Sequence, residues 1–409
     1  MRAVWTGVRS STPVKARWRI VEESGTSIRF ADGVNALDLN SGLWNVPLGY
    51  RNPVVERSVI AAMGRGSYGG QFRRSSDVAE RVARRLLNLW PDQRYTRVMF
   101  GTSGSAAVDV ALKLARLHQV RLGNPEQRRS GSFIGGYHGQ TLGALGLSDE
   151  ELMQGAMLTN AGDYVKLPLD SASSVRQVLL AEAGTLCAVF IEPVQGTGNR
   201  PIPEDILAEV FAFRDAFGFL VIADEVATGF GRTGVMFRSS SWARSPDIVV
   251  LSKTLTNGTQ AASALLISEP VVASFSPSDA IFPHGETQSG SLWACGAIDG
   301  VLDVLRDEYG MTQADHTLPA AGEMDEFLAA LDLDRKGISV RGEGMFRTLE
   351  CSSFSDGVLA GERLRARGLV VAAGVNGIQL APMYCMRSNE WDRAQTVLSK
   401  EIEGWGTDG

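Results

Sequence analysis

Two stretches of the 409-residue chain decide its fold: FLVIADEVATGFGRTG (219–234) and DIVVLSKTL (247–255). Each begins with a short apolar run rich in β-branched residues and then changes to polar residues. Runs of this length and composition predict buried strands rather than helices. Asp224 and Lys253 follow these runs closely, where a charged group needs either a partner or a shifted pKa.

Four further apolar runs and two helix-like segments surround these stretches. The runs are RVMF (97–100), SFIGG (132–136), CAVFI (187–191) and ASALLI (262–267), and the helical segments span residues 106–120 and 204–217. Strands that alternate with helices predict a largely parallel sheet with helices on both faces. The expected fold class is therefore α/β.

The pattern changes near residue 294. Residues 294–305 and 315–331 are expected to form helices, and strands are expected within residues 341–349 and 368–380. The first 45 or so residues are also strand-rich. We therefore expect an N-terminal segment, 1–48, that packs with a small C-terminal α+β domain, 296–409, and a large cofactor-binding domain, 49–295, between them.

Composition excludes several classes of function. The net charge of −6 gives no basic surface for nucleic acid or an anionic membrane. No apolar run approaches the roughly 18 residues of a membrane span, and the N-terminus lacks the apolar core of a signal peptide. The four cysteines, Cys187, Cys295, Cys351 and Cys385, form no C-x-x-C pair. We expect a cytoplasmic protein that acts on small molecules and holds no metal.

The residues that follow the strands share one expected location, because ligands of an open α/β sheet bind beyond the carboxyl ends of its strands. In chain order these ends carry the small-residue turn GTSGS (101–105), Tyr137, Glu192, Asp224 and Lys253. GTSGS opens a helix, so its free N–H groups and the helix dipole favour an anion. An ordinary serine N-cap is the alternative interpretation of the same turn.

Together these groups indicate one cofactor. A lysine in apolar surroundings has a lowered pKa and a neutral amine suited to Schiff-base chemistry, although a surface lysine with a buried stem also fits Lys253. Asp224 needs a cationic partner, because an unpaired buried carboxylate is costly. A phosphate turn, a stacking aromatic, a carboxylate and a buried amine are the groups that hold pyridoxal phosphate.

At these residues the sequence resembles the class III aminotransferases of fold type I, also called ω-aminotransferases. The matching segments keep the family's order over nearly the whole chain: SGLWNVPLGY (41–50), GTSGSAAVDVALKLAR (101–116), GGYHGQTLGALGLS (135–148), IEPVQG (191–196), ADEVATGFGRTG (223–234), DIVVLSKTL (247–255), HGETQSGSLWACGAIDGVLDVL (284–305), VRGEGMFRTLE (340–350) and GIQLAP (377–382). The resemblance implies a pyridoxal-phosphate enzyme that moves an amino group from a donor to a ketone or aldehyde acceptor.

The resemblance also implies a role for each matching residue. Lys253 would form the Schiff base and carry the proton, and Asp224 would keep the pyridine nitrogen protonated. The other implied positions are Ser103, Gly104 and Ser105 at the phosphate, Tyr137 and Val226 on the ring faces, His138 beside the cofactor, Glu192 near Asp224 and Lys253, Trp44 and Gln140 at the substrate, and Thr287 at the phosphate of the partner in a homodimer. Simple packing remains an alternative for Val226 and Trp44.

Departures from the family pattern concern the substrate. Gln140 stands where the acetylornithine, ornithine and GABA branches carry an Arg that pairs with a substrate carboxylate, and a neutral amide cannot form that bidentate pair. Residues 370–375 contain no Arg, although the ω-amine branch often has one there. Arg73, Arg74 and Arg232 are the distant candidates for a replacement.

These departures favour an amine or carbonyl substrate without a carboxylate close to the reacting carbon. A carbonyl on a peptide or other natural product is included among the acceptors, as in daptide-type pathways, which install a C-terminal amine. Three other departures are Ala106, in place of the usual Glu, Tyr50, in place of a common His, and Met383, in place of a common second Pro.

Three alternatives stay open on the sequence. GFGRTG (229–234) fits the G-x-G-x-x-G of nicotinamide-dependent oxidoreductases, but that fingerprint requires a following helix, and residues 235–247 lack helical periodicity. An aminomutase or racemase of the same fold would share nearly every residue named. A catalytically silent relative would have no need of a buried Lys253 and Asp224.

Overall fold

The computed structural model describes residues 18–71, 74–90, 92–149, 151–157, 161–276, 281–350, 357–374 and 377–405. The first 17 residues of the expected N-terminal segment, together with Arg73, Cys351 and Val375, lie outside the described residues.

The strands are β1 (Ile20–Ser24), β2 (Ser27–Phe30), β3 (Asn35–Asp38), β4 (Tyr95–Gly101), β5 (Arg129–Phe133), β6 (Tyr164–Leu167), β7 (Leu186–Ile191), β8 (Val194–Gln195), β9 (Arg200–Pro201), β10 (Leu220–Asp224), β11 (Ile248–Leu251), β12 (Ser263–Ser268), β13 (Ser339–Glu343), β14 (Phe346–Glu350), β15 (Leu369–Val370), β16 (Ala372–Gly374) and β17 (Gly377–Leu380). The helices are α1 (Pro53–Met63), α2 (Asp77–Leu87), α3 (Gly104–Arg121), α4 (Leu142–Leu147), α5 (Glu151–Met157), α6 (Ala172–Glu182), α7 (Glu204–Phe217), α8 (Glu269–Ala273), α9 (Leu292–Tyr309), α10 (Ala320–Ala329), α11 (Gly357–Ala366) and α12 (Ser388–Ile402).

A seven-stranded sheet forms the centre of the fold, in the order β4-β12-β11-β10-β7-β5-β6. β12 runs antiparallel to both of its neighbours, and β11, β10, β7, β5 and β6 pair in parallel. The α/β fold class with a mostly parallel central sheet is confirmed. The sequence prediction missed β6, because its four residues alternate polar and apolar positions at the sheet edge.

The central strands are buried on both faces. Alternate residues of β7 and β10 point to opposite sides: Phe190 and Ile222 pack with helix α3, and Val189 and Val221 pack with α6 and α7. This two-sided burial explains why these strands are continuous apolar runs in the sequence. It also leaves the strand ends as the places where polar side chains collect.

Two smaller sheets involve the chain termini. β1, β2 and β3 pair antiparallel in sequence, and β15 adds to β3 in parallel, with Leu369 opposite Leu37. The second sheet has the order β13-β14-β17-β16. Helix α9 extends the expected helix to 18 residues, whereas α10 is shorter than the expected 315–331. Among the described residues, no helix has both the length and the apolar character needed to cross a membrane.

Candidate active site

The ends of three neighbouring strands bring the expected polar residues to one edge of the sheet. In the parallel pairing, Ala223 of β10 lies opposite Ile191 of β7, so the residues that follow both strands emerge side by side. Glu192 follows β7, Asp224 ends β10, and Lys253 lies two residues beyond β11. The strand register therefore places two carboxylates and one amine at a single edge.

Asp224 is 3% exposed and is held by two groups. His138 Nδ1 lies 2.7 Å from Asp224 Oδ2, and the Val226 N–H donates to Asp224 Oδ1 at 3.1 Å. His138 is also buried, and its backbone N–H donates to Ser148 Oγ at 2.9 Å. This arrangement fixes the carboxylate in a low-dielectric environment, where a cationic ligand nitrogen would bind it strongly.

Glu192 is a second buried carboxylate in the cluster. Its Oε2 accepts a hydrogen bond from the Tyr137 N–H at 2.8 Å, and its Oε1 accepts one from the Gly196 N–H at 2.9 Å. Burial raises the pKa of Glu192 to about 7, with the nearby Asp224 acting in the same direction and His138 against it. Glu192 thus changes protonation state near neutral pH.

Lys253 begins a single 3₁₀ turn, Lys253–Thr256, with a positive φ of 39°. Its Nζ lies 4.5 Å from the centroid of the Trp44 ring. Burial lowers the pKa of Lys253, although Asp224 and Glu192 act in the opposite direction. A lowered pKa increases the fraction of neutral amine, which is the nucleophilic form.

The GTSGS turn enters helix α3 as expected. Ser103 is the N-cap, and its side chain accepts a hydrogen bond from the Ala106 N–H at 3.2 Å. A Cβ on Gly104 would lie 3.0 Å from Val226 Cγ1, so glycine lets the helix start approach Val226 without displacing its side chain. Ser105 Oγ accepts a hydrogen bond from the Gln140 N–H at 3.2 Å. Small residues at an 18-residue helix N-terminus fit a phosphate.

Gln140 and Thr287 lie at exposed positions. The backbone of Gln140 is held beside the phosphate turn by Ser105, and its side chain extends from there. Thr287 accepts a hydrogen bond at its carbonyl oxygen from Tyr68 Oη at 2.7 Å. This contact holds the 281–290 loop against the segment before α2.

A left-handed turn, Ser41–Trp44, carries Trp44 into the cluster. The φ angles are 46°, 57°, 61° and 68° for Ser41, Gly42, Leu43 and Trp44. Left-handed backbone costs roughly 1–2 kcal/mol per residue for amino acids other than glycine. Three of these four residues, Ser41, Leu43 and Trp44, are not glycine and therefore require compensation from the surrounding structure. The family resemblance implied that Trp44 lies at the site, but this conformation was not predicted.

Trp44 and Gln379 form a wall of the cluster with the loop after Glu192. The Trp44 ring meets Phe346 edge to face at 5.0 Å, and a Cβ on Gly196 would lie 3.2 Å from Trp44 Cζ3. Gln379 Nε2 donates to the Gly196 carbonyl at 2.9 Å. Gln379 was missed by the sequence analysis, and its position just before Leu-Ala-Pro was the only available signal.

The distant arginines occupy different places. Arg232 is fully buried, and its Nη1 donates to the Pro382 carbonyl at 2.8 Å, while its guanidinium lies 5.1 Å from the Tyr384 ring. The same Nη1 lies 3.5 Å from the Met345 carbonyl oxygen, so Arg232 joins two backbone segments. Arg74 is exposed. Among the described residues, no group of three or more His, Cys, Asp or Glu side chains is arranged to hold a metal.

The G-x-G-x-x-G segment has no helix after it. Residues 229–234 form turns, and the only helical element in 235–247 is the 3₁₀ turn Arg238–Ser241. A dinucleotide pyrophosphate would lack the helix N-terminus that the fingerprint supplies. The geometry contradicts the nicotinamide alternative.

Comparison with known proteins identifies the class of protein that this fold and site define. The family model described as aminotransferase class-III matches residues 9–402. An adenosylmethionine-8-amino-7-oxononanoate aminotransferase from Synechococcus elongatus is 30% identical over 403 residues, which cover 91% of this chain and 92% of the relative. A beta-alanine–pyruvate aminotransferase from Pseudomonas aeruginosa is 25% identical, with 94% and 92% coverage.

Solved structures of transaminases have the same fold as this chain. An amine transaminase from an uncultivated Pseudomonas species, in its PLP-bound form, superposes with a TM-score of 0.89 at 27% identity and covers 99% of both chains. A thermostable (S)-enantioselective omega-transaminase from Thermomicrobium roseum gives a TM-score of 0.85 at 26% identity, with 94% and 92% coverage. The chain belongs to the class III aminotransferase family. It is an aminotransferase of fold type I that uses pyridoxal phosphate.

Proposed function

We propose that this aminotransferase carries its cofactor on Lys253 and binds the pyridine nitrogen at Asp224. The observation that supports this assignment is the buried cluster at the strand ends, in which the amine of Lys253 shares one edge of the sheet with the Asp224 and Glu192 carboxylates. Pyridoxal phosphate bound there supplies an electron sink that makes a proton on the substrate carbon acidic.

Residues of the chain bind the cofactor ring and transfer the proton. The Asp224 carboxylate, fixed by His138 and the Val226 N–H, keeps a proton on the ring nitrogen. The Lys253 amine takes a proton from the substrate carbon and returns it, as a general base and acid. Tyr137 and Val226 flank the ring.

The phosphate would be held at the start of α3 by Ser103, Gly104 and Ser105. This assignment is supported by the close approach of Gly104 to Val226 and by the helix N-terminus itself. Glu192 lies beside both charged groups and holds the Tyr137 and Gly196 backbone in place.

The pocket around Trp44 favours substrates without a carboxylate near the reacting carbon. Gln140 and Gln379 offer only neutral amides, and the fully buried Arg232 is bonded to the Pro382 carbonyl. A charge-assisted bidentate pair is roughly twice as strong as a neutral hydrogen bond, so its loss lowers selectivity for acids. A carbonyl on a peptide or other natural product is an acceptor of this kind.

A homodimer with shared sites completes the proposal. Thr287 is exposed on the 281–290 loop, which also carries Ile281, exposed by 73%, and helix α1 exposes two more large apolar side chains, Ile60 by 67% and Met63 by 45%. Contact with a second copy of the chain would remove such side chains from water. We further propose a cytoplasmic protein with the three-part division 1–48, 49–295 and 296–409, supported by separate sheets around β3, β10 and β14.

Reduction with borohydride and peptide mapping tests the cofactor site. The phosphopyridoxyl group should be on Lys253. Lys166 is the matched competitor, since burial also lowers its pKa, to about 8, but it lies on the edge strand β6 and binds the Leu147 and Ser148 carbonyls. An adduct on Lys166 or Lys113 would overturn the assignment.

Paired donors test the substrate class. The pairs isopropylamine and alanine, and butylamine and 4-aminobutyrate, each differ chiefly in a carboxylate. We expect kcat/KM to be no lower for the amine of each pair, with release of a carbonyl product and accumulation of the aminated cofactor. A hundredfold preference for the acids would show that a cation reaches the pocket. Isomerisation without a carbonyl product would indicate the aminomutase or racemase alternative.

A further inference from the structure

The left-handed turn Ser41–Trp44 is held by one buried carboxylate. Asp38 Oδ1 accepts a hydrogen bond from the Asn40 N–H at 2.8 Å, and Asp38 Oδ2 accepts one from the Gly42 N–H at 2.7 Å. Tyr50 Oη donates to the same Oδ2 at 2.7 Å. Asp38 is 1% exposed, so these bonds form away from water, where each is strengthened.

Two further hydrogen bonds stabilise the turn, but neither involves the indole of Trp44. The Trp44 N–H donates to the Asn40 carbonyl at 2.8 Å, and Ser41 Oγ donates to the Ala381 carbonyl at 2.6 Å. By contrast, the buried Trp44 Nε1 finds no hydrogen-bond partner among the described residues. The ring position above Lys253 therefore comes from its backbone and from packing, not from a polar contact of its own.

We propose that Asp38 is a positioning residue, whose carboxylate locks the left-handed turn and thereby holds the Trp44 ring over the Lys253 amine. The inference rests on the proposed role of Lys253. Asp38 acts through Trp44 and does not itself touch the reacting atoms. Tyr50 supports it by supplying the third hydrogen bond.

The Asp38→Asn variant tests this role with little change in shape. The asparagine amide would place its N–H groups where Asp38 Oδ2 now accepts hydrogen bonds. A donor would then face the Gly42 N–H, which is also a donor. We expect amide hydrogens in residues 40–46 to exchange at least tenfold faster. With the best amine of the donor panel, KM should rise at least tenfold while kcat changes less, because the wall that orients the substrate is loosened.

Asp247→Asn is the matched control. Asp247 is also a buried aspartate, 5% exposed, and it accepts a hydrogen bond from the Val221 N–H at 2.9 Å, near the other end of β10. Unlike Asp38 it is ion-paired as well, with Arg94 at 2.9 Å and Arg214 at 3.0 Å. This variant should lose stability without faster exchange at 40–46 and without a rise in KM. Equal KM changes in both variants would refute the positioning role.

Two more variants keep the test decisive if Asp38→Asn folds poorly. Tyr50→Phe removes one of the three bonds and should raise exchange at 40–46 and KM by two- to fivefold. Leu43→Gly relieves left-handed strain at an exposed position. Added to Asp38→Asn, it should reverse at least half of the increase in log KM. Wild-type exchange in Tyr50→Phe, or no recovery in the double variant, would overturn the inference.

Hydrogen exchange separates this inference from the proposed function. The exchange result at 40–46 does not depend on which lysine carries the cofactor. A borohydride adduct away from Lys253 would defeat the cofactor assignment even if the turn loosens as expected. An adduct on Lys253 with unchanged exchange and KM in Asp38→Asn would defeat the inference alone.

Discussion

Two regions meet at Lys253 and are built in opposite ways. The strand-end cluster of Glu192, Asp224 and Lys253 is placed by the parallel pairing of three strands: Asp224 ends one apolar strand, and Glu192 and Lys253 follow the other two. The Ser41–Trp44 turn is irregular, strained and held by side-chain hydrogen bonds from Asp38. Regular structure brings the reactive groups together, whereas the strained turn supplies the wall that encloses them.

The strand-end cluster therefore carries the chemistry, and the Ser41–Trp44 turn encloses the site. Changes at the strand ends should therefore reduce turnover, and changes in the turn should affect binding and stability.

Removal of the amine should have the largest effect. Lys253→Ala should lower kcat by roughly 10⁵-fold or more, because no other group in the cluster can form the Schiff base. The variant should still bind cofactor through the phosphate turn, as measured by fluorescence quenching. Lys336→Met provides the control, since Lys336 binds the Leu331 carbonyl far from the site. Residual turnover above 1% in Lys253→Ala would contradict the assignment.

Neutralisation of the carboxylate should have the next largest effect. Asp224→Asn should lower kcat by roughly 10²–10³-fold, in line with the loss of one oriented electrostatic group. His138→Ala removes only the support behind Asp224 and should cost about tenfold. An equal loss in both variants, measured at saturating cofactor, would mean that Asp224 acts only as a unit with His138.

Glu192 should make stability depend on pH in the cofactor-free protein. Its pKa is raised from 4.5 to about 7, so the folded state holds a proton that the unfolded state has lost between these values. Its contribution is fully present below about pH 4.5 and is lost as pH rises through 7. Glu192→Gln should therefore gain stability relative to wild type between pH 5 and 8, by on the order of 3 kcal/mol.

Urea unfolding at several pH values measures this difference. The amide of Glu192→Gln loses one of the two backbone hydrogen bonds to Tyr137 and Gly196. The free energy of unfolding should therefore also fall by an amount that does not change with pH. A flat difference between pH 5 and 8 would mean that Glu192 is ionised throughout.

The same contrast explains what could be predicted from sequence. The apolar runs determine the strands, and the strands determine where Asp224 and Lys253 lie, so the central sheet and the strand-end residues follow from local patterns. The turn could not be predicted, because SGLW has no local signal for left-handed backbone beyond Gly42. Its conformation depends on Asp38 and on the Ala381 carbonyl, which is distant in the chain. Gln379 was missed for the same reason.

The smallest predicted effect tests the strain in the turn directly. Leu43 is 57% exposed with a φ of 61°, so replacing it with glycine removes little buried surface and relieves the left-handed penalty. Leu43→Gly should raise the free energy of unfolding by about 1 kcal/mol. Leu180, 66% exposed on helix α6, receives the same substitution in regular backbone and should lose about 1 kcal/mol. Because both variants lose the same side chain, opposite signs in urea unfolding would isolate the backbone contribution. A loss of stability in both would mean that the turn is not strained at Leu43.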